Sequence, residues 1–341
     1  MSQILTYEDF QKWGSLGGRK SHRTLSPEQA RSMGLKSAKA RTSMSSGQPV
    51  MQTSVKLPYG TKEWAAHNVN IQQGCEHNCK YCYAKSMAIR FKRSTAKNWT
   101  TTQLRDNEIS RYYTKKNGTV MYPTTHDITP RNVDAYISVL QKLLFAGNDV
   151  LVVSKPHLAC VKKICSLCTD YKHRILFRFT IGSTDNNILQ YWEPDAPGFQ
   201  ERLSALRWAH TQGYKTSVSV EPMLDTNMDK LISAVKPYVT DAIWLGRVNQ
   251  IKSALAQNCP KDIEAKLKAD DLLKQQSDEW IIELYEKYRK DKMIKWKDSI
   301  KKVAGIHLQK ASALLVLRIR QKAIPVRPTS PLYQYCNLPR L

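Results

Sequence analysis

Acidic residues are scarce in this chain of 341 residues, where 29 Asp and Glu stand against 53 Lys and Arg for a formal charge of +24. That imbalance is large for an enzyme of small molecules. It points to a polyanionic partner, nucleic acid first, the bland alternative being a generally basic soluble protein. The bases crowd the ends: Arg19, Lys20, Arg23, Arg31, Lys36, Lys39 and Arg41 near the start, and Lys287, Arg289, Lys290, Lys292, Lys295, Lys297, Lys301 and Lys302 late in the chain. Also missing is any apolar run long enough for a transmembrane helix, so no membrane partner is expected. The opening Met1 to Asp9 lacks the basic-then-apolar order of a signal peptide, and a cytoplasmic protein is expected. Eight cysteines in such a chain read as metal ligands or reduced core thiols, not disulfides. The 41% hydrophobic content allows a sizeable core in one large domain with additions, or in two domains.

The informative stretch is Gly74-Cys75-Glu76-His77-Asn78-Cys79-Lys80-Tyr81-Cys82-Tyr83-Ala84. Its C-x3-C-x2-C spacing suits three irons of a four-iron–four-sulfur (4Fe-4S) cluster, and the fourth cysteine of a fully ligated electron-transfer cluster is not nearby. The fourth iron is then free for a small molecule. A zinc site of Cys75, Cys79, Cys82 and His77 is the rival, although the paired C-x2-C knuckles usual for zinc are missing. A chance grouping is the other, and the flanking His77, Tyr81 and Tyr83 argue against it.

These residues resemble the cluster loop of the radical S-adenosylmethionine superfamily, in the form found in its spore photoproduct lyase and DNA repair photolyase branch. The resemblance spans roughly Asn70 to Gly246. It implies two cofactors, a 4Fe-4S cluster held by Cys75, Cys79 and Cys82, and S-adenosylmethionine on the open iron. It implies an electron donor such as flavodoxin or ferredoxin, and a 5′-deoxyadenosyl radical that abstracts hydrogen from the substrate. In the branch a cysteine and nearby tyrosines return the hydrogen atom, which makes Tyr83 and Tyr81 catalytic candidates. No donor cysteine matches, so repair of spore photoproduct itself does not carry over.

Strand and helix alternate after a linker at about Ser43 to Gln48. Strands are expected at Asn68–Gln72, Gly118–Pro123, Asp149–Lys155, Arg174–Thr180, Thr216–Glu221 and Asp241–Gly246. Helices are expected at Val133–Phe145, His157–Cys168, Gly198–Thr211 and Met228–Val235. Six such repeats mean a parallel sheet with helices outside. The resemblance implies an α/β fold of the partial (β/α)6 TIM type, whereas alternation alone also allows an open doubly wound sheet. Residues 1–50 read as a basic arm with a helix start at Ser26-Pro27, either tracking phosphates or simply solvated. Residues 51–250 read as the barrel. Residues 251–341 read as a basic helical extension, with helices over Ala265–Leu273 and Glu279–Ile300, and a tail.

In either architecture the site lies at the carboxyl ends of the strands. Lys155 and Thr180 match positions where the family's cofactor lies, Lys155 at its carboxylate. Their bland alternative is an ordinary strand end facing water. Ser217 and Ser219 share one face of the fifth strand and, with Glu221, line the cavity if that face is inward. Glu221 reads equally as a structural ion pair. Thr124, Thr125, His126 and Asp127 occupy the place of the superfamily's Gly-Gly-Glu, and serve through carbonyls and hydroxyls, as proton carriers, or as a turn cap. Cys160, Cys165 and Cys168 read as buried thiols before a second metal site. Three functions stay open: a radical enzyme acting on nucleic acid, one acting on a protein, peptide or small molecule, and a zinc-containing nucleic-acid-binding protein without catalysis.

Overall fold

The computed structural model describes residues 60–306. The expectations for the N-terminal arm and for the proline-bearing tail lie outside those residues. The main sheet has seven strands: β1 (His67–Asn68), β4 (Val120–Met121), β5 (Val150–Ser154), β6 (Ile175–Thr180), β7 (Lys215–Val220), β8 (Ile243–Leu245) and β9 (Ile294–Trp296). They lie in that spatial order, and every neighbouring pair is parallel. β2 (Gln72–Gln73) and β3 (Gln103–Leu104) form a separate antiparallel pair. The helices are α1 (Tyr83–Arg90), α2 (Asp106–Ser110), α3 (Val133–Phe145), α4 (Leu158–Leu167), α5 (Asn186–Trp192), α6 (Phe199–Thr211), α7 (Met228–Val235), α8 (Ile251–Asn258), α9 (Ile263–Gln275), α10 (Asp278–Tyr288) and α11 (Asp298–Val303). The result is an incomplete barrel of the TIM type, with β1 and β9 at the edges of the sheet.

Both faces of the strands are packed, as a parallel sheet requires. In β6, Ile175, Phe177 and Phe179 join the large outer core with Val161 and Ile164 of α4 and Ala205 and Leu206 of α6. The intervening Leu176 faces the other way, into a smaller cluster with Met121, Leu151, Val153, Trp64 and Ala65. The register Met121↔Leu151 and Leu151↔Leu176 stacks these inward residues side by side. Above them Arg178 donates to Ser217 Oγ at 3.0 Å and to Asp241 at 3.0 Å, its guanidinium 4.8 Å from the Trp64 ring.

Two expectations need correction. The sheet has a seventh strand, and it comes from the segment expected to be one helix over Glu279–Ile300. α10 ends at Tyr288, and β9 then pairs with β8 before α11 begins. Tertiary contacts override the helical pattern here. Ile294 is buried, Trp296 packs edge-on against Tyr285, and Lys297 is drawn into a carboxylate cluster. The first expected strand is also two pieces, since only His67–Asn68 joins the main sheet while Gln72–Gln73 pairs with β3.

Candidate active site

The cysteine loop follows β2 and is shaped by its own small residues. Gly74 has φ +82, and a Cβ there would stand 2.6 Å from the Trp99 carbonyl oxygen, so glycine is required. That carbonyl accepts from the Cys75 amide at 3.1 Å. Cys82 caps α1, its sulfur 3.4 Å from the Lys85 amide. Distant segments clamp the loop from outside. The Lys80 amide donates to the Trp192 carbonyl at 2.9 Å, and the Lys80 ammonium pairs with Asp262 at 2.8 Å. Asn258, buried at the end of α8, donates to the carbonyls of both Lys80 and Cys82 at 2.9 Å.

Burial pushes the Cys75 thiol up to about 12, with Asp127 and then Cys82 adding to the rise. Cys79 is raised well above its ordinary value and Cys82 is raised too, first by burial in each case. Each of the three is opposed by the Lys155 ammonium. The loop therefore gathers three proton-holding thiols around one lysine.

Asp127, after β4, is the hub beside them. Its carboxylate accepts from the Lys155 amide at 2.7 Å and from Ser154 Oγ at 3.1 Å, and pairs with the Lys155 ammonium at 3.4 Å. It lies 2.9 Å from His77 Nδ1, and the other ring nitrogen of His77 lies 3.0 Å from His157 Nε2. Burial alone would raise Asp127, but Lys155 and then His77 hold it well below the carboxylate range. Burial would lower Lys155, and Asp127 and then Cys79 hold it well above the usual lysine value. The two directions agree: this is an ion pair, charged on both sides.

A second buried chain fixes Tyr81. Its hydroxyl donates to Glu193, which is also paired with Arg202, and neither partner of that ion pair is exposed. Arg202 spends its remaining donors on the carbonyls of Pro197 at 2.7 Å and Thr180 at 3.2 Å. The buried Glu193–Arg202 pair thus supports the cysteine loop through Tyr81.

The other sequence candidates divide. The Tyr83 ring is 56% exposed, and its hydroxyl donates to the Thr124 carbonyl at 2.7 Å. The Thr124 hydroxyl accepts from Asn70 at 2.6 Å. Thr180 and Ser219 are cross-strand neighbours at the carboxyl ends of β6 and β7. Ser217 lies deeper, donating to the Ala242 carbonyl at 2.5 Å while holding Arg178, so it serves the barrel floor and not the mouth. Glu221 stands 3.5 Å from the Lys297 ammonium, which also pairs with Glu63 at 2.6 Å. Burial raises Glu221, and Lys297 opposes the rise. His126 is buried against Tyr136, with Nδ1 3.0 Å from the Thr125 hydroxyl and Nε2 without a partner among the described residues. Cys160, Cys165 and Cys168 belong to the outer core, on the far side of the sheet from Leu176 and Trp64.

Sequence reasoning missed His157, Asn258 and the hub role of Asp127. Nothing local marks Asn258, since its partner Cys82 is 176 positions away. His157 stands two residues after Lys155, at the cap of α4, and could have been flagged by that place alone.

The donor set discriminates between the metal readings. Among the described residues, Cys75, His77 and Asp127 offer ligand atoms within 4.8 Å of one another. However, both ring nitrogens of His77 already have partners, and the Asp127 carboxylate has five contacts, Cys75 Sγ at 4.0 Å among them, so this trio is satisfied as a hydrogen-bond network. Cys79 and Cys82 would be left out of it. Three thiols from one loop, two buried and the third half-buried, with a cation beside them that opposes the rise in their pKa values, fit a cluster that takes three sulfur ligands.

No protein-family model matches the chain. It is similar to an uncharacterized protein of Acidianus two-tailed virus, 28% identical over 176 residues, 48% of this chain and 57% of the viral one. It is also similar to an uncharacterized protein of Methanocaldococcus jannaschii, 24% identical over 214 residues, 59% of this chain and 79% of the archaeal one. Among solved structures its fold is similar to a mutant spore photoproduct lyase with dinucleoside spore photoproduct: TM-score 0.41, 18% identity, 57% of this chain and 60% of that one. It is similar as well to SuiB of Streptococcus suis bound to S-adenosylmethionine: TM-score 0.43, 10% identity, 87% of this chain and 63% of that one. The chain thus spans little more than half of the viral relative and about 60% of the lyase.

Proposed function

We propose that this protein is a radical S-adenosylmethionine enzyme whose substrate is nucleic acid, modified or repaired at a base or its methyl group. The observation that carries the reading is one loop that brings two buried thiols, Cys75 and Cys79, and the half-buried Cys82 under the charge of a lysine paired with Asp127 at the end of a parallel strand. Cys75, Cys79 and Cys82 would hold the 4Fe-4S cluster. When bound with S-adenosylmethionine, such a cluster supplies an electron that breaks a C–S bond and leaves a 5′-deoxyadenosyl radical. The chain's own residues do the rest. Lys155 brings a positive charge to the thiols, which favours their ionised form and suits an anionic carboxylate nearby. Thr180 and Ser219 place hydroxyls side by side at adjacent strand ends. Tyr83, tied to the Thr124 carbonyl, stands where the mouth opens, and Tyr81 keeps the loop seated through Glu193. The charge of +24 supports the choice of nucleic acid over a small molecule, and it also suits an acidic electron donor such as flavodoxin or ferredoxin.

Anaerobic reconstitution with iron and sulfide tests this reading. The protein should turn brown, hold iron and sulfide, and form 5′-deoxyadenosine once reduced. Replacing Cys75, Cys79 or Cys82 by Ala should abolish both cluster and product. A protein that takes up zinc but no iron, or a cysteine variant that still cleaves the cofactor, would end it.

A further inference from the structure

α1 begins at Cys82, so whatever face it presents starts at the cysteine loop. Its buried side is Ala84, Lys85 and Ala88. Its other side carries Tyr83, Met87 and Phe91 at i, i+4 and i+8, with Arg90 in the same row, and all four are exposed. Eight residues at 1.5 Å each make this row about 12 Å long. It ends in a turn in which Lys92 adopts φ +54 and its amide donates to the Ile89 carbonyl at 2.9 Å. The turn is pinned to the β2–β3 pair, since the Gln73 side chain donates to the Arg93 carbonyl at 2.6 Å. The row is therefore held in place, although its outer face is uncovered.

Charge singles out this surface. From Lys80 to Arg105 there are seven bases and no acid. Lys80 is paired with Asp262, and the Lys85 ammonium donates to Asn78 at 2.8 Å. Arg90, Lys92, Arg93, Lys97 and Arg105 are exposed, and among the described residues none forms an ion pair. The guanidinium groups of Arg90 and Arg93 lie 5.8 and 5.7 Å from the Phe91 ring, which is itself 57% exposed. An exposed aromatic ring with two guanidiniums near it, neither in an ion pair among the described residues, is the chemistry that receives a base by stacking and phosphates by charge.

We infer that this face of α1 and its turn is the platform on which a single-stranded polynucleotide lies as it enters the barrel mouth. The base stacks on Phe91, Arg90 and Arg93 take the flanking phosphates, and Met87 and Tyr83 lead the strand inward to Cys82. A duplex fits this chemistry less well, because its bases have no free faces to stack on the ring. The inference rests on the nucleic-acid reading proposed above.

The test uses the full chain, a labelled single-stranded oligonucleotide of about ten nucleotides in DNA and RNA form, and the matching duplex, with anisotropy as readout. Wild type should bind the single strand more tightly than the duplex. Phe91→Ala should weaken single-strand binding by about five- to a hundredfold, and an exposed ring can be removed without unfolding the chain, which circular dichroism checks. Arg90→Gln with Arg93→Gln should make the log–log salt slope shallower by about 1.4, at 0.7 per phosphate contact on a single strand. Wild-type binding that is unchanged in both variants overturns the platform and leaves the nucleic-acid reading standing. A wild type that binds neither DNA nor RNA at low salt defeats that reading together with the platform. Variants that bind the oligonucleotide normally but lose reduction by an acidic flavoprotein would assign the face to the electron donor instead, and also overturn the inference.

Discussion

Removing the carboxylate of Glu193 tests most directly how the cysteine loop is held. Glu193 and Arg202 are both fully buried, and among the described residues Arg202 has two carbonyl acceptors besides Glu193. Glu193→Ala strands a buried cation, which costs about 3–5 kcal/mol. It also orphans the Tyr81 hydroxyl, a penalty of about 1–3 kcal/mol that overlaps with the first because both donors share one acceptor. Glu193→Gln loses the charge and one of the two acceptor oxygens, so its single oxygen serves Tyr81 or Arg202 but not both, and its cost should fall between wild type and the alanine variant. Replacing both partners, Glu193→Leu with Arg202→Met, should recover most of the loss, since no charge then remains buried. Urea unfolding of the cluster-free protein at neutral pH gives these differences. The pH dependence adds a second check. Burial would raise Glu193, but Arg202, then Lys155 and the Tyr81 hydroxyl, hold its carboxyl below the usual value. A depressed carboxyl stabilises the fold fully above its unfolded pKa of about 4.3, and that contribution is lost as pH falls through the lower folded value. Glu193→Gln should therefore flatten the stability curve on the acid side. A Glu193→Ala loss under about 1 kcal/mol, or a double variant no better than the single ones, would refute the argument.

Lys155→Met should raise the Kd for S-adenosylmethionine at least about tenfold, the scale of one lost charge-assisted contact, while iron content stays at wild type; an unchanged Kd would reduce Lys155 to a partner of Asp127. Tyr81→Phe should cost about 1 kcal/mol and spare cofactor cleavage, because its hydroxyl is already donated to Glu193; a cleavage-dead variant with an intact cluster would contradict this. Burial lowers His126 to about 3, so it stays neutral in the fold while the unfolded chain takes up a proton below about 6.5. Stability should then fall by about 1.4 kcal/mol per pH unit below that value, and His126→Phe should remove this component in acid denaturation curves. Deleting residues 1–48 should weaken nucleic-acid binding and make the salt slope shallower while cofactor cleavage without substrate persists; equal affinity and slope would clear the arm of any contact.

Local pattern alone was enough for the elements whose physics is local. The 3.6-residue spacing of Val133–Phe145 and Met228–Val235 marked both helices to the residue, and the run Val150–Val153 marked a buried parallel strand. The cysteine loop was legible for the same reason, since its three thiols lie within eight consecutive residues and converge by the course of one turn. Tertiary structure alone decided the rest. Ile294–Trp296 is a strand because β8 offered it an edge, although its own sequence sits in a basic helical stretch. Ser217 looked equivalent to Ser219 by alternation, yet two residues along the strand separate the barrel floor, where Arg178 and the Ala242 carbonyl claim Ser217, from the carboxyl end, where Ser219 lies opposite Thr180. Packing alone put Glu193 and Arg202 out of water and gave Tyr81 to the pair. Asn258 holds Cys82 across 176 positions, and Asp127 gathers His77 from one distant segment and the consecutive Ser154 and Lys155 from another. Spacing along the chain encodes which groups share a turn. Which buried charge meets which is settled only when the strands stack in register and water is excluded.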